Sequence, residues 1–255
     1  MYAAERRQQI LEMIGPQASV SVAELAARFG VSEATIRRDL NALSRLGGLQ
    51  RTYGGALRPS LADTEAPFSR RQVSNAEEKA RIGAAAAALV QSGETVFLDG
   101  GTTIEAMIPH LVEKAGLTVV TFGLNILTRL AGHQNITVIG IGGTLHHPSL
   151  TFTGVLATEA TQAYRLRFDK AFIAARGVSA TGGATNVDLE QIPIKVAALD
   201  ASRQAFLLAD SSKIGVTALA MIAPVARFHR LITGSGASAE EVDALRRMGL
   251  TVDLV

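Results

Sequence analysis

Hydrophobic spacing divides the chain into a short helical head and a long body in which strands and helices alternate. In 5-ERRQQILEMI-14, Ile10, Leu11 and Ile14 fall on one helical face, and Gly15-Pro16 ends the helix. A second helix follows in 20-VSVAELAARFG-30, with Val22, Leu25, Ala26 and Phe29 as its inner stripe. Ser21 and Glu24 have the spacing of a capping box, Val20 and Leu25 that of a hydrophobic staple, and Gly30 offers the left-handed residue that closes the helix. Ser32 then caps a third helix whose Ile36, Leu40 and Leu43 lie within a narrow arc. Beyond it, 48-GLQRTYGGALRP-59 reads as strand, Gly-Gly turn and strand.

Residues 57–78 mix Pro, Ser and charge without a sustained period, which predicts a linker and a new helix starting near Ser74 or Asn75. The body then gives apolar strands at 95–99, 117–122, 136–142, 170–175, 205–210, 230–234 and 250–255. Helices are predicted between them at 77–90, 103–115, 124–132, 190–202 and 238–249. Strands that are apolar throughout, alternating with helices, predict a mostly parallel sheet covered on both faces. The expected organisation is a winged helix-turn-helix domain at 1–57, a linker at 58–75 and an α/β domain at 76–255.

Charge sharpens the division. The whole chain has a formal net charge of +2, yet residues 1–60 hold eight basic against five acidic residues. On the third helix Ala34, Arg38, Asn41 and Arg45 point away from the apolar arc, flanked by Thr35 and Arg37. Small residues permit close approach to a major groove, and Arg or Asn can bond base edges in pairs. Ser32 opens that helix, and Arg51, Tyr53 and Arg58 project from the hairpin, where a wing meets phosphates or a minor groove. The head therefore reads as a reader of double-stranded DNA. The alternative is a three-helix bundle whose basic face contacts protein.

Composition removes other classes. Apolar residues make up 47% of the chain and no apolar run approaches the ~18 residues of a bilayer span. The charged start predicts no signal peptide, and the absence of cysteine suits a reducing, cytoplasmic setting. The adjacent His146 and His147 lack a cysteine or an i, i+4 His partner, so surface chemistry is the reading and no metal or other cofactor is expected.

In parallel α/β sheets ligands sit beyond the carboxyl ends of the strands. Those loops carry 99-DGGTT-103, 142-GGT-144, Asn186, Asp188 and Glu190, and 209-ADSSKIG-215 with Asp210 and Lys213. Amides, hydroxyls, carboxylates such as Asp99 and one lysine suit a phosphorylated polyol.

These residues also carry a likeness. The segments 6-RRQQILEMI-14, 20-VSVAELAARFGVSEATIRRDLNALSRLGGL-49 and 51-RTYGGA-56 resemble the N-terminal domain of the DeoR family of bacterial repressors. In the body, 99-DGGTT-103, 142-GGTL-145, 170-KAFIAARGV-178 and 209-ADSSKIG-215 are similar in order to that family's sensor domain. The resemblance implies a body related to ribose-5-phosphate isomerase and responsive to sugar phosphates. It implies phosphate contacts from Gly101, Thr102 and Thr103, lining by Gly142, Gly143 and Glu190, and a charged contact from Lys213. The chain departs from the family pattern at Thr52 and Tyr53 in the wing, and at Phe122, His146 and Arg176 in the body. The last three are expected to border the pocket, with Arg176 holding an anion.

The expected function is a carbohydrate-metabolism repressor without enzymatic activity, acting as a homodimer or homotetramer. A phosphorylated sugar would release it from its operator through a coupling of about 1–3 kcal/mol. The competing reading is a sugar-phosphate isomerase with a DNA-binding appendage, for which Asp99 or Glu190 would serve as the general base.

Overall fold

The computed structural model describes residues 3–13, 19–45, 50–52, 55–57, 66–163 and 165–255, and the chain divides into two units, Met1–Pro67 and Phe68–Val255. The first unit contains α1 (Ala3–Met13), β1 (Ser19–Ser21), α2 (Val22–Phe29), α3 (Glu33–Arg45), β2 (Gln50–Thr52) and β3 (Gly55–Leu57). Its core is Ile10, Val22, Leu25, Ile36, Leu40 and Leu43, all expected from periodicity, with Ala26 and Phe29 partly buried against it; Ile14 and the side chain of Leu11 lie outside the described residues. Ser21 and Glu24 form the reciprocal capping box, and Gly30 ends α2 in the left-handed conformation.

The wing differs from expectation in two ways. It has three strands in the order β1-β3-β2, because Ser19–Ser21 pairs with β3 from the far side. Gly55 is also not a turn residue. It pairs with Thr52 and faces β1 so closely that a Cβ there would lie 2.2 Å from the Val20 carbonyl oxygen. The second glycine of the pair therefore serves strand packing, while residues 53 and 54 lie outside the described residues.

The second unit begins at Phe68, earlier than the linker boundary expected from sequence. It runs α4 (Phe68–Val73), α5 (Ala76–Ala88), β4 (Thr95–Leu98), α6 (Thr102–Glu105), α7 (Ile108–Leu111), β5 (Leu117–Thr121), α8 (Leu124–Leu130) and β6 (Ile136–Gly140). There follow β7 (Thr144–His146), β8 (Thr151–Thr153), α9 (Val155–Ala163), β9 (Phe168–Ala174), β10 (Gly177–Ser179), β11 (Gly183–Asn186) and α10 (Ile192–Asp200). The last elements are β12 (Ser202–Leu208), β13 (Ala220–Ala223), β14 (Arg230–Thr233), α11 (Ala239–Arg247) and β15 (Thr251–Leu254).

The seven predicted strands form one sheet in the order β15-β14-β12-β9-β4-β5-β6, and every neighbouring pair is parallel. Its two faces carry separate cores. Val96 and Leu98 pack with α5 to α8, whereas Phe97 between them packs with α9, α10 and α11. This is why the strands read as continuous apolar runs, since a strand buried on both sides has no polar alternation.

Phe122 belongs to this packing. It is fully buried, stacked on Phe97 with ring centroids 6.0 Å apart, and so does not border the pocket as expected. The helix expected over 103–115 is two short ones, because Pro109 lacks an N–H and fits only the first turn of α7.

Chain order reverses between β4 and β9. From β4 the chain builds outward through β5 and β6; from β9 it builds the other way through β12, β14 and β15. The carboxyl ends of β4 and β9 therefore border the crevice where such sheets bind ligands.

Candidate functional site

In the first unit, α3 presents a polar outer face. Ala34, Arg37, Arg38 and Asn41 are exposed and Thr35 is half-buried. The Ser32 hydroxyl accepts the Thr35 amide at 3.2 Å and lies 2.9 Å from the Thr35 hydroxyl, so both side chains serve the helix start. Arg37 forms an i, i+4 pair with Glu33 at 3.3 Å. Tyr53 and Arg58 lie outside the described residues, as do the side chains of Arg45 and Arg51.

The remaining acidic residue of α3 is turned inward. Asp39 is buried, and its two oxygens take the Nε groups of Arg6 at 2.6 Å and Arg7 at 2.7 Å. The pair ties α1 to α3 and withdraws a negative charge from the helix that bears Arg38. Sequence reasoning did not identify this contact, although an Arg-Arg step on α1 and an aspartate next to Arg38 were its signal.

In the second unit the crevice is floored by Asp99, at the end of β4. Its carboxylate is sealed from solvent and fully engaged. Oδ1 accepts the Gly100 amide at 2.7 Å; Oδ2 accepts the Ala174 amide at 2.8 Å and Lys195 Nζ at 2.7 Å. Lys195, from α10, also donates to the Ala174 carbonyl at 2.9 Å. Asp99 therefore joins β4, β9 and α10 at the point of strand reversal, and its oxygens are committed to that junction rather than directed to a ligand or a substrate proton.

Around this floor the loops converge. A Cβ on Gly100 would lie 2.3 Å from the Thr151 methyl of β8, and Asn125 donates to the Gly101 carbonyl at 3.3 Å. Thr102 is half-buried and Thr103 buried at the start of α6. Near the far end of β8, Thr153 donates to Glu190 at 2.9 Å and its carbonyl abuts Gly143. Gly100 and Gly143 thus abut β8 at Thr151 and Thr153, two residues apart on the strand. Gly142 is exposed and has no neighbour within 4 Å of a built Cβ, so it does not share their packing.

Cations gather on the other side of the Gly101 turn. Arg176 follows β9 and is buried; Lys213 follows β12 and is half-buried. Burial pushes the Lys213 ammonium below the ordinary lysine pKa; Asp210 counteracts this, while the positive charges of Arg176, Lys79 and Arg71 add to it. Burial also lowers Lys79, again opposed by Asp210 and assisted by Arg71. Burial alone would raise the Asp210 carboxyl, but Lys213, the Ser212 hydroxyl, Lys79 and Asn75 together hold it below its ordinary value. Lys213 and Lys79 thus act on Asp210, Arg176 and Arg71 act on Lys213, and a second carboxylate, Glu78, acts on Lys79 and accepts from Ser211.

Two of those cations come from the segment expected to be linker and first helix. Arg71 lies on α4 and reaches over the glycine turn. Its Nη1 is 3.8 Å from a Cβ built on Gly101, and its Nη2 donates to the Pro148 carbonyl at 3.4 Å. Lys79 donates to the carbonyls of Arg71 and Ser74, closing the end of α4, while Asn75 bonds Asp210 at 3.0 Å. A groove of about 630 Å³ adjoins the cluster, sharing Lys79 with it and bounded by Thr102, Gln72, Glu105, Arg129 and His133. The buried cationic charge lies in the cluster and, Lys79 apart, not in the groove.

His146 stands 2.7 Å from the Ser149 hydroxyl and 3.3 Å from Asp188, on the hairpin that carries Pro148. Among the described residues, no group of three His, Cys, Asp or Glu side chains is placed to hold a metal ion, and no helix is long and apolar enough to cross a membrane.

Comparison with known proteins bears on both units. Residues 6–61 match the DeoR-like helix-turn-helix domain, and residues 74–235 match the DeoR C-terminal sensor domain. The chain is 36% identical over 255 residues to the uncharacterized HTH-type transcriptional regulator YulB of Bacillus subtilis (strain 168), covering 100% of this chain and 98% of that protein. It is 32% identical over 219 residues to the glycerol-3-phosphate regulon repressor of Escherichia coli (strain K12), covering 86% of each. Among solved structures, a ribose 5-phosphate isomerase of Methanocaldococcus jannaschii overlays 55% of either chain at 17% identity, with a TM-score of 0.40.

Proposed function

Because this chain belongs to the DeoR family of transcriptional regulators, we propose that it represses genes of carbohydrate metabolism and is released from its operator by a phosphorylated sugar or a related anion. The observation that carries the effector half of this reading is the cluster of Arg71, Lys79, Arg176 and Lys213, which outnumber the carboxylates of Asp210 and Glu78 among them and of which Arg71 reaches the Gly101 turn. Clustered cations at reduced solvation are costly alone and favourable around an anion. The carboxylate of Glu190 and the hydroxyls of the same crevice suit the polyol part of such a ligand. A relative that represses the glycerol-3-phosphate regulon accords with this chemistry.

For the DNA half, Arg38 and Asn41 on the exposed face of α3 would read base edges, and Arg37 would contact phosphate. The protein would act as a dimer on paired half-sites, since two recognition helices multiply specificity. Binding of the anion would lower operator affinity by about 1–3 kcal/mol of coupling.

The experiment is a gel-shift titration of a fragment from the protein's own promoter region at constant salt, with and without a panel of sugar phosphates. Binding that one member of the panel weakens by roughly tenfold supports the reading. Operator binding indifferent to every sugar phosphate rejects the effector class, and no salt-dependent DNA binding rejects the regulator. The isomerase alternative predicts turnover of ribose 5-phosphate by the same preparation. Asp99, one of its two candidate bases, has both oxygens occupied within the fold.

A further inference from the structure

The two edges of the seven-stranded sheet are built differently. At one end, β15 carries Asp253, paired with Arg230 at 2.6 Å, and Arg246 from α11 donates to the Val252 carbonyl at 3.1 Å. Charge and an occupied carbonyl are the usual means of keeping an edge strand from pairing with another chain. At the other end β6 has no such protection. Its sequence is 136-ITVIG-140, without a charge, a proline or a lysine, and one side of its backbone faces no strand among the described residues.

The absence of charge extends well past the strand. From Ile136 to Thr158 the sequence contains no Asp, Glu, Lys or Arg, in a chain where such residues make up 19%. Apolar side chains in this stretch are nonetheless open to solvent: Ile139 is 41% exposed, Val155 71% and Leu156 70%. They belong to one margin, because Gly143, three residues beyond β6, packs against Ala157 of α9 closely enough that a Cβ would lie 3.0 Å from the Ala157 Cβ. The Thr153–Glu190 bond brings the loop of Leu189, 58% exposed, to the same rim.

We propose that this margin, the open edge of β6 with the first turn of α9, is where a second copy of this chain docks. An open strand edge offers alternating N–H and C=O groups, and two copies related by a two-fold axis satisfy each other when their β6 edges run antiparallel. The strand edge and the first turn of α9 carry no charge of their own, with Glu159, Asp188 and Glu190 at their border, and uncharged, exposed aliphatic side chains inside a polar rim are the composition of an interface. This margin offers no counter-charge to a polyanion, which separates it from any DNA-binding surface. The inference rests on the proposed dimer and adds the face through which it forms.

The test uses the full chain and its molar mass in solution, by size-exclusion chromatography with light scattering. Ile139→Lys and Leu156→Lys are compared with Leu254→Lys, which places the same charge on the exposed part of the opposite edge. The expected result is the wild-type mass for Leu254→Lys and half that mass for the other two, with melting temperatures of the separated monomers showing a folded body. Wild-type mass in all three variants overturns this face while leaving the dimer intact; a monomeric wild type overturns the dimer as well. Because the natural chain has no cysteine, Ile139→Cys supplies a single thiol for a short bismaleimide, which keeps the question open to test if a lysine variant fails to fold. Cross-linked dimer from Ile139→Cys and none from Leu254→Cys supports the face, and the reverse overturns it.

Discussion

Lys195 Nζ lies 2.7 Å from Asp99 Oδ2, both side chains sealed from solvent, at the position where the strand order reverses. The pair stands under the ligand crevice and shapes it indirectly, by fixing the end of β4 to the end of β9. A buried ion pair adds modest net stability, but removal of one partner leaves the other charge stranded. Asp99→Ala should therefore destabilise the sensor unit by about 3–5 kcal/mol, seen as a shift in its urea midpoint. Adding Lys195→Met should recover part of the loss, because the stranded charge goes with it. A single variant as stable as the wild type would mean that water reaches Lys195.

The Arg6–Asp39 contact makes a parallel prediction for the head. Asp39→Ala leaves Arg6 buried without its carboxylate, at a cost of about 3–5 kcal/mol, and also frees Arg7. The DNA-binding unit should lose helical signal at lower temperature while the sensor unit melts as before. Operator binding should fall with that helicity and recover on cooling.

Arg38 is exposed, so its removal should leave the fold unchanged. Arg38→Ala is expected to lower operator affinity by about 1–3 kcal/mol and to relax the preference at one base position. Arg37→Ala, if Arg37 meets phosphate as proposed, should weaken all sequences alike and reduce the salt slope by about one. Equal losses on operator and random DNA in Arg38→Ala would place that residue on the backbone instead of a base.

How much of this was readable in the sequence follows from what each feature depends on. The central strands β4, β5 and β9 were legible because they are buried on both faces and so appear as apolar runs, and the edge strands β6 and β15 by their β-branched and aliphatic residues. The capping box of α2 is a local pattern, and it formed as read. By contrast α4 has six residues, too few to show a period, and β7, β8, β10, β11 and β13 are only three or four residues long. At the site, Asp99-Gly-Gly-Thr-Thr and Lys213 stand at strand ends and could be picked out by position. Lys195 lies within 192-IPIKVAALD-200, where its role appears only once α10 is laid across β9. Arg71 and Lys79 were hidden for the same reason, since their chemistry comes from tertiary contact and not from spacing.

The depressed pKa of Lys213 leads to a pH prediction. Burial is its main cause, opposed by Asp210 and reinforced by Arg176, Lys79 and Arg71. Between the folded pKa and the ordinary lysine value of 10.5, the folded protein has released this proton while the unfolded chain retains it. Unfolding then takes up a proton, so rising pH stabilises the sensor unit across that window, and Lys79 acts in the same direction. Anion binding follows the opposite course, because the ligand needs the ammonium. Calorimetric affinity for a responsive sugar phosphate should be flat at low pH and then weaken by about tenfold per pH unit once the ligand-free pKa is passed. Asp210 remains ionised throughout, since its own pKa is held low. Lys213→Arg keeps the charge at any accessible pH and should flatten most of the decline. If affinity in the wild type stays constant up to 10.5, Lys213 is not a ligand of the anion.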